Sequence, residues 1–245
     1  MSRKLRRPYN AAEVAFCILG VALLWLVWVV AGPATAGSSP ASTDAAVSRV
    51  KSGTGFFVSR DGFLVTSAHV VAGCANVSAW QSDGSERPSY IIASDQRLDL
   101  ALLWADGRPA GQSAVVARAP PQSGEDVFTL GYGVIATKPL QPVLVEGSLV
   151  GDSTARPGNR IMVIRAKLHA GNSGGAVLAG DGSLLGMIIG RDEEHAELGV
   201  ALPRADIEAL LSAYGITLPT GVPAGNARNL LSEISVLIQC SSLGN

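Results

Sequence analysis

From residue 53 onward, short apolar runs alternate with breaks of Gly, Pro, Asp or Ser. Phe56-Phe57-Val58 and Phe63-Leu64-Val65 bracket Ser59-Arg60-Asp61-Gly62, whose Asp-Gly pair signals a hairpin. Further runs lie at 77–80, 90–93, 100–104, 127–130, 143–150, 161–164, 176–178, 184–189 and 198–202. Many short runs at this spacing predict an all-β sandwich or barrel, and the Pro120-Pro121 step is the natural midpoint between two halves. One helix stands out. Pro203 suits its first turn and Gly215 its end, while Ile207, Leu210, Leu211 and Tyr214 fall at i, i+3, i+4 and i+7 on one apolar face. Beyond it, a Pro/Gly-rich loop leads into 230–240. There SVLIQC reads as a strand and NLLSEI is compatible with a helix, and the pattern does not choose one type for the segment.

The first 36 residues follow a different pattern. Arg3, Lys4, Arg6 and Arg7 precede an unbroken apolar run over 14–31; Gly32-Pro33 then breaks any helix, and Ala34-Thr35-Ala36 forms an A-x-A site. These are the three parts of a secretory signal. The run is longer than a usual signal core and reaches the low end of a membrane span, so a retained inner-membrane anchor is the rival reading. Either way the positive end stays inside and the rest is exported to the periplasm or beyond. Residues 37–49 read as a small, polar linker, 50–215 as the folded domain and 216–245 as a C-terminal tail.

Apolar residues make up 47% of the chain and charged ones 16%, enough to bury a sizeable core. The formal net charge is −1, and loss of residues 1–36 would move it to −4, so nothing in the balance calls for a nucleic-acid partner. Of three cysteines, Cys17 lies in the apolar run. Cys74 and Cys240 remain as an even pair in an oxidising compartment: either a disulfide tying the tail to the body or two small buried side chains. No Cys/His cluster has metal-site spacing, and no cofactor is expected.

The stretch HAGNSGGAV places Ser173 between glycines. It is either part of a tight turn or a nucleophile held in one. A serine hydroxyl needs a base to become a nucleophile, and the chain has three histidines. His69 ends an apolar strand among small residues. His169 lies four residues from Ser173, and His195 sits in the charged stretch RDEEHAE, which reads as solvated surface. A base histidine needs an acceptor to fix its tautomer. Asp99, at the edge of Leu100-Ala101-Leu102-Leu103, is the better placed candidate; Asp95 sits in a polar turn. The order His69, Asp99, Ser173 is that of the chymotrypsin constellation and differs from those of subtilisin and the α/β-hydrolases. Ser173 also lacks the G-x-S-x-G elbow, which argues against a lipase or esterase.

GTGFFVSRDGFLVTSAHVV, DLALL and GNSGGAV resemble, in the right order, the core blocks of trypsin-like serine proteases, with the likeness running nearest to the bacterial HtrA/Deg branch. GEDVFTLGYG, VLVEGSLVG, LGMIIG and ELGVALPRADI resemble further segments of that family, so the likeness covers about residues 50–215. It implies two six-stranded antiparallel β-barrels with a C-terminal helix, here preceded by the hydrophobic helix of 14–31. It implies a serine endopeptidase acting on polypeptide substrates through an acyl-enzyme. His69 would be the base, Asp99 its orienting partner and Ser173 the nucleophile, with the N–H groups of Gly171 and Ser173 forming the oxyanion hole. Lys167 and Leu168 match the base of the specificity pocket. Leu168 favours a small or medium apolar side chain, and Lys167, if turned inward, an acidic one.

The chain departs from the family in two places. Asn172 stands where digestive relatives carry an Asp that pairs with a newly cut N-terminus, so activation by such cutting is not expected. The family's HtrA members carry PDZ domains, and the roughly 30 residues after Tyr214 are too few for one. The second functional reading is a non-catalytic binding or scaffold module on the same fold.

Overall fold

In the computed structural model, residues 49–107, 111–116, 122–133, 140–156, 159–223 and 225–242 are described. The expected leader or anchor, Cys17, linker residues 37–48 and the Pro120-Pro121 step lie outside them.

The GTGFF run ends strand β1 (Arg49–Phe57), which turns through the Asp-Gly hairpin into β2 (Phe63–Thr66). Gly62 adopts φ +94°, and a side chain there would run into the Ala105 carbonyl. One helical turn, α1 (Ala68–Val71), follows, then β3 (Asn76–Trp80), β4 (Glu86–Asp95) and β5 (Leu100–Ala105). The unbroken apolar run of β5 has a simple cause: both its faces are covered. Ala101, Leu103 and Ala105 pack with Phe57, Leu64 and Ala79, while Leu100 and Leu102 join a second cluster.

That second cluster draws on both halves of the molecule. After β6 (Val115–Val116), the strands β7 (Asp126–Gly131), β8 (Val143–Arg156), β9 (Asn159–Ala166), β10 (Ala176–Ala179), β11 (Ser183–Arg191) and β12 (Leu198–Pro203) form an antiparallel barrel in the order β10-β7-β8-β9-β12-β11, closed by the β10–β11 pairing. β6 adds to β11 in parallel. Val127, Met162, Ile164, Val177 and Ile188 belong to one buried cluster of this barrel. Its Leu178, Leu184, Met187 and Leu202 pack instead with Phe56, Val65, Leu100 and Leu102.

Helix α2 (Arg204–Ala213) begins after Pro203, which is its N-cap. Ile207 and Leu211 are buried, but Tyr214 is 48% exposed, against the expected apolar face. Tyr214 is the C-cap at φ −109°, where the chain has left helical geometry, so the i+7 position does not carry on the face. Gly215 follows at φ +70°, the left-handed ending glycine tolerates best. Helix α3 (Ala227–Ile234) is capped by Asn226, whose side chain accepts the Asn229 N–H at 3.0 Å.

The last strand, β13 (Ser235–Ser242), lies between β1 and β3 and closes the first barrel as its sixth strand, in the order β1-β13-β3-β4-β5-β2. The two six-stranded barrels of a trypsin-like fold are therefore present, but residues beyond 215 complete the first of them. Cys240 opposes Lys51 on one side and Val77 on the other. It is joined to Cys74 with a Cα–Cα separation of 5.4 Å, inside the usual disulfide window. Among the described residues, no helix is long and apolar enough to cross a membrane.

Candidate active site

Ser67 breaks β2 and starts α1, so His69 leaves the first barrel on a single turn whose other residues, Ala68, Val70 and Val71, are buried. The ring is thereby pushed outward; its side chain is 52% exposed. Asp99, just before β5, reaches it twice. One carboxylate oxygen accepts the His69 backbone N–H at 2.9 Å, and the other lies 2.8 Å from Nδ1. Asp99 has φ +56°, the only non-glycine residue at positive φ among those described. Asp and Asn tolerate that region better than most residues, yet it still carries strain, which packing must hold. The two-point contact fixes both the backbone and the ring of His69. With Nδ1 donating to the carboxylate, Nε2 is left as the acceptor. Asp95, the rival carboxylate, is occupied elsewhere: it accepts the Arg97 and Leu98 N–H groups at 2.8 and 3.0 Å in its own turn.

Ser173 is half-buried in the loop joining β9 to β10. Its surroundings come from both barrels. The Thr54 N–H of β1 donates to the Ser173 carbonyl at 2.9 Å. The Gly174 N–H donates to the Ile188 carbonyl at 2.7 Å, and the Ser67 hydroxyl donates to that same carbonyl at 3.3 Å. Residues two before His69 and one after Ser173 thus converge on a single atom. The close approach demands glycine. At Gly53 a Cβ would stand 2.6 Å from Val70 and 3.2 Å from the Ser173 carbonyl oxygen; at Gly174 it would overlap the Thr54 carbonyl.

Gly171 has φ +100°, and a Cβ there would overlap the Tyr132 carbonyl. Among the described residues, the Gly171 and Ser173 N–H groups donate no backbone hydrogen bond, whereas those of Asn172, Gly174 and Gly175 all do. A loop so arranged can offer two free N–H donors to one developing negative charge. Asn172 ties the loop to itself: its side-chain oxygen accepts the His169 N–H at 2.7 Å while its own N–H donates to the His169 carbonyl at 3.1 Å.

The remaining sequence candidates separate. Leu168 is 3% exposed and packs over Gly199 and Ile164, whereas Lys167 is exposed. The alternation of β9 persists past its end and turns the leucine inward. His169 is exposed. His195 is exposed beside Asp192, whose carboxylate is held below its ordinary range by the N–H groups of His195 and Glu194. Sequence reasoning missed Ser67, Thr54 and Tyr132. All three lie within or beside quoted motifs, but their side chains act through tertiary contacts. Tyr132 is buried, and that burial pushes its phenol up to about 12, so it is not an acid or base at working pH.

The family model for the trypsin-like peptidase domain matches residues 53–187. Serine protease Rv3671c of Mycobacterium tuberculosis H37Rv is 32% identical over 184 residues, covering 72% of this chain and 45% of its own length. A probable periplasmic serine endoprotease, DegP-like, of Rhizobium meliloti is 29% identical over 140 residues, covering 55% of this chain and 27% of its own. The crystal structure of the Rv3671c protease in its active form superposes with a TM-score of 0.59 at 27% identity, over 70% of this chain and 82% of that one. The chain spans less than half the length of the curated relatives it matches.

Proposed function

The chain belongs to the trypsin-like peptidase family, and we propose that it is an exported serine endopeptidase that hydrolyses peptide bonds of polypeptide substrates through an acyl-enzyme. The observation that carries the reading is the two-point grip of Asp99 on His69, at a seam where β1 and α1 meet the glycine loop of Ser173. His69 Nε2 takes the proton as the Ser173 hydroxyl attacks the scissile carbonyl, and Asp99 stabilises the imidazolium through Nδ1. The oxyanion falls to the Gly171 and Ser173 N–H groups. Collapse expels the amine with the proton from His69, and water then repeats the sequence on the acyl-enzyme. Export is supported by the three-part N-terminus and by a relative named periplasmic. Residues 14–31 act as a cleaved signal core or as an inner-membrane anchor.

Burst kinetics test the mechanism. With an activated peptide ester, the folded protein is expected to release about one equivalent of leaving group quickly, then turn over slowly, with the adduct mapped to Ser173. A folded protein with neither burst nor adduct would instead be a non-catalytic binding or scaffold module.

The buried Leu168 points to a small or medium apolar side chain on the residue before the cut. Leu168→Ala should raise the rate for a large apolar residue relative to Ala at that position by roughly tenfold or more, since each methylene in such a pocket counts for about that much. A cleavage-site library on both proteins measures it. An acidic preference that vanishes in Lys167→Ala would transfer the role to Lys167, and a basic preference would exclude both.

A further inference from the structure

Thr54 is fully buried in β1, every polar group it owns is engaged, and its hydroxyl and N–H reach across the seam. Its hydroxyl donates to the Gly171 carbonyl at 2.6 Å and accepts the Tyr132 N–H at 3.0 Å. Its N–H donates to the Ser173 carbonyl at 2.9 Å. Its own carbonyl accepts the Thr66 hydroxyl at 2.6 Å, and Thr66 is the last residue of β2 before Ser67 and the helical turn of His69. One residue of the first barrel therefore holds both carbonyls that flank Asn172, and is itself held by the strand that delivers the base.

From this we infer that Thr54 is a positioning residue that sets the oxyanion hole, an inference that rests on Ser173 being the nucleophile. A held carbonyl fixes the plane of its peptide, here those of 171–172 and 173–174, each joined through a single Cα to a peptide that carries an oxyanion N–H. Gly171 has no Cβ to restrict it, so alternative conformations of this loop cost little unless something outside the loop opposes them. The Thr54 hydroxyl supplies that opposition. Its single proton goes to Gly171, and its lone pair takes the Tyr132 N–H from the end of β7, so the loop is pinned between two elements that do not belong to it. Valine has the same shape but neither donates nor accepts: it leaves the Gly171 carbonyl and the Tyr132 N–H without this partner and frees the peptide to turn. Serine keeps the hydroxyl and loses only a methyl.

The test compares Thr54→Val and Thr54→Ser with wild type on one peptide substrate, with burst amplitude, kcat, KM and the affinity of a peptidyl aldehyde measured in each. The aldehyde forms a tetrahedral adduct that uses the oxyanion hole; the matching peptide amide does not. Thr54→Val is expected to lose about 10- to 100-fold in kcat, the size of a misplaced reacting geometry, with KM within about twofold. Aldehyde affinity should fall in parallel, amide affinity should hold, and Thr54→Ser should recover most of kcat. If Thr54→Val does not fold, as judged by cooperative melting, Thr54→Ala replaces it, and the same split is required. A wild type with no burst would sink the nucleophile reading and Thr54's role with it. A wild type with a burst beside a folded variant within twofold of it in kcat, or beside a variant whose loss Ser does not recover, would sink Thr54's role alone.

Discussion

Ser173→Ala is expected to abolish the burst, the covalent adduct and nearly all turnover, a loss of about 10⁶ in kcat where a nucleophilic serine acts as one unit with its base. The methyl group fits where the hydroxyl was, and the contacts that shape the loop run through backbone atoms: the Ser173 carbonyl to Thr54 and the Gly174 N–H to Ile188. Melting should therefore match wild type, and substrate should still bind. Asp99→Asn makes the finer cut. An amide can still accept the His69 N–H, but it presents a donor or an uncharged oxygen to Nδ1, so the tautomer and the imidazolium both lose support. About 10⁴ in kcat is the expected loss. Equal activity in wild type and Asp99→Asn would mean that the 2.8 Å contact is structural only. A Ser173→Ala protein that still turns over would place the chemistry on another residue.

The second large effect lies far along the chain from any motif. Removing 235–245 is expected to leave a chain that does not melt cooperatively and does not react with the ester. β13 contributes Val236, Leu237 and Ile238, all at most 1% exposed, to the buried clusters, and it provides both ladders that join β1 to β3. Burial of three such side chains stabilises by about 5–9 kcal/mol, taking roughly 1.5–3 for each. Net stabilities of domains are only about 5–15 kcal/mol, so the loss is of the same size as the whole. The opened barrel would also expose two unpaired strand edges, a route to aggregation. Cys240→Ser keeps the strand and removes only the covalent link to Cys74, whose closed loop spans 166 positions. It should lower stability by about 2–5 kcal/mol without abolishing the fold. Reductant should lower the wild-type midpoint to that of Cys240→Ser and leave the variant unmoved. A truncated chain with a cooperative melt and a full burst would show that the first barrel stands without its sixth strand.

Much of this protein was legible from local pattern. Runs such as 100–104 and 184–189 announced strands because each is apolar on faces that are both covered, and the Asp-Gly turn at 61–62 was marked by a residue that accepts positive φ. The three blocks around His69, Asp99 and Ser173 were readable because their residue types, and the order in which they occur, match one family's pattern. That Leu168 is buried and Lys167 exposed follows from parity along β9.

What the sequence determined by itself was therefore most of the strands, the family and the chemically capable residues. These depend on period, composition and motif, all of which are local. Tertiary structure decided which elements meet. SVLIQC reads as a strand in isolation, but nothing in it names β1 and β3 as partners, because both lie near the other end of the chain. Asp95 and Asp99 are equivalent as side chains, and only the left-handed turn before β5 aims one of them at His69. Thr54 reads as one more small strand residue until β1 is laid against the loop of Ser173. In each case the deciding quantity is a distance between residues remote in sequence, and the local pattern of either partner carries no record of it.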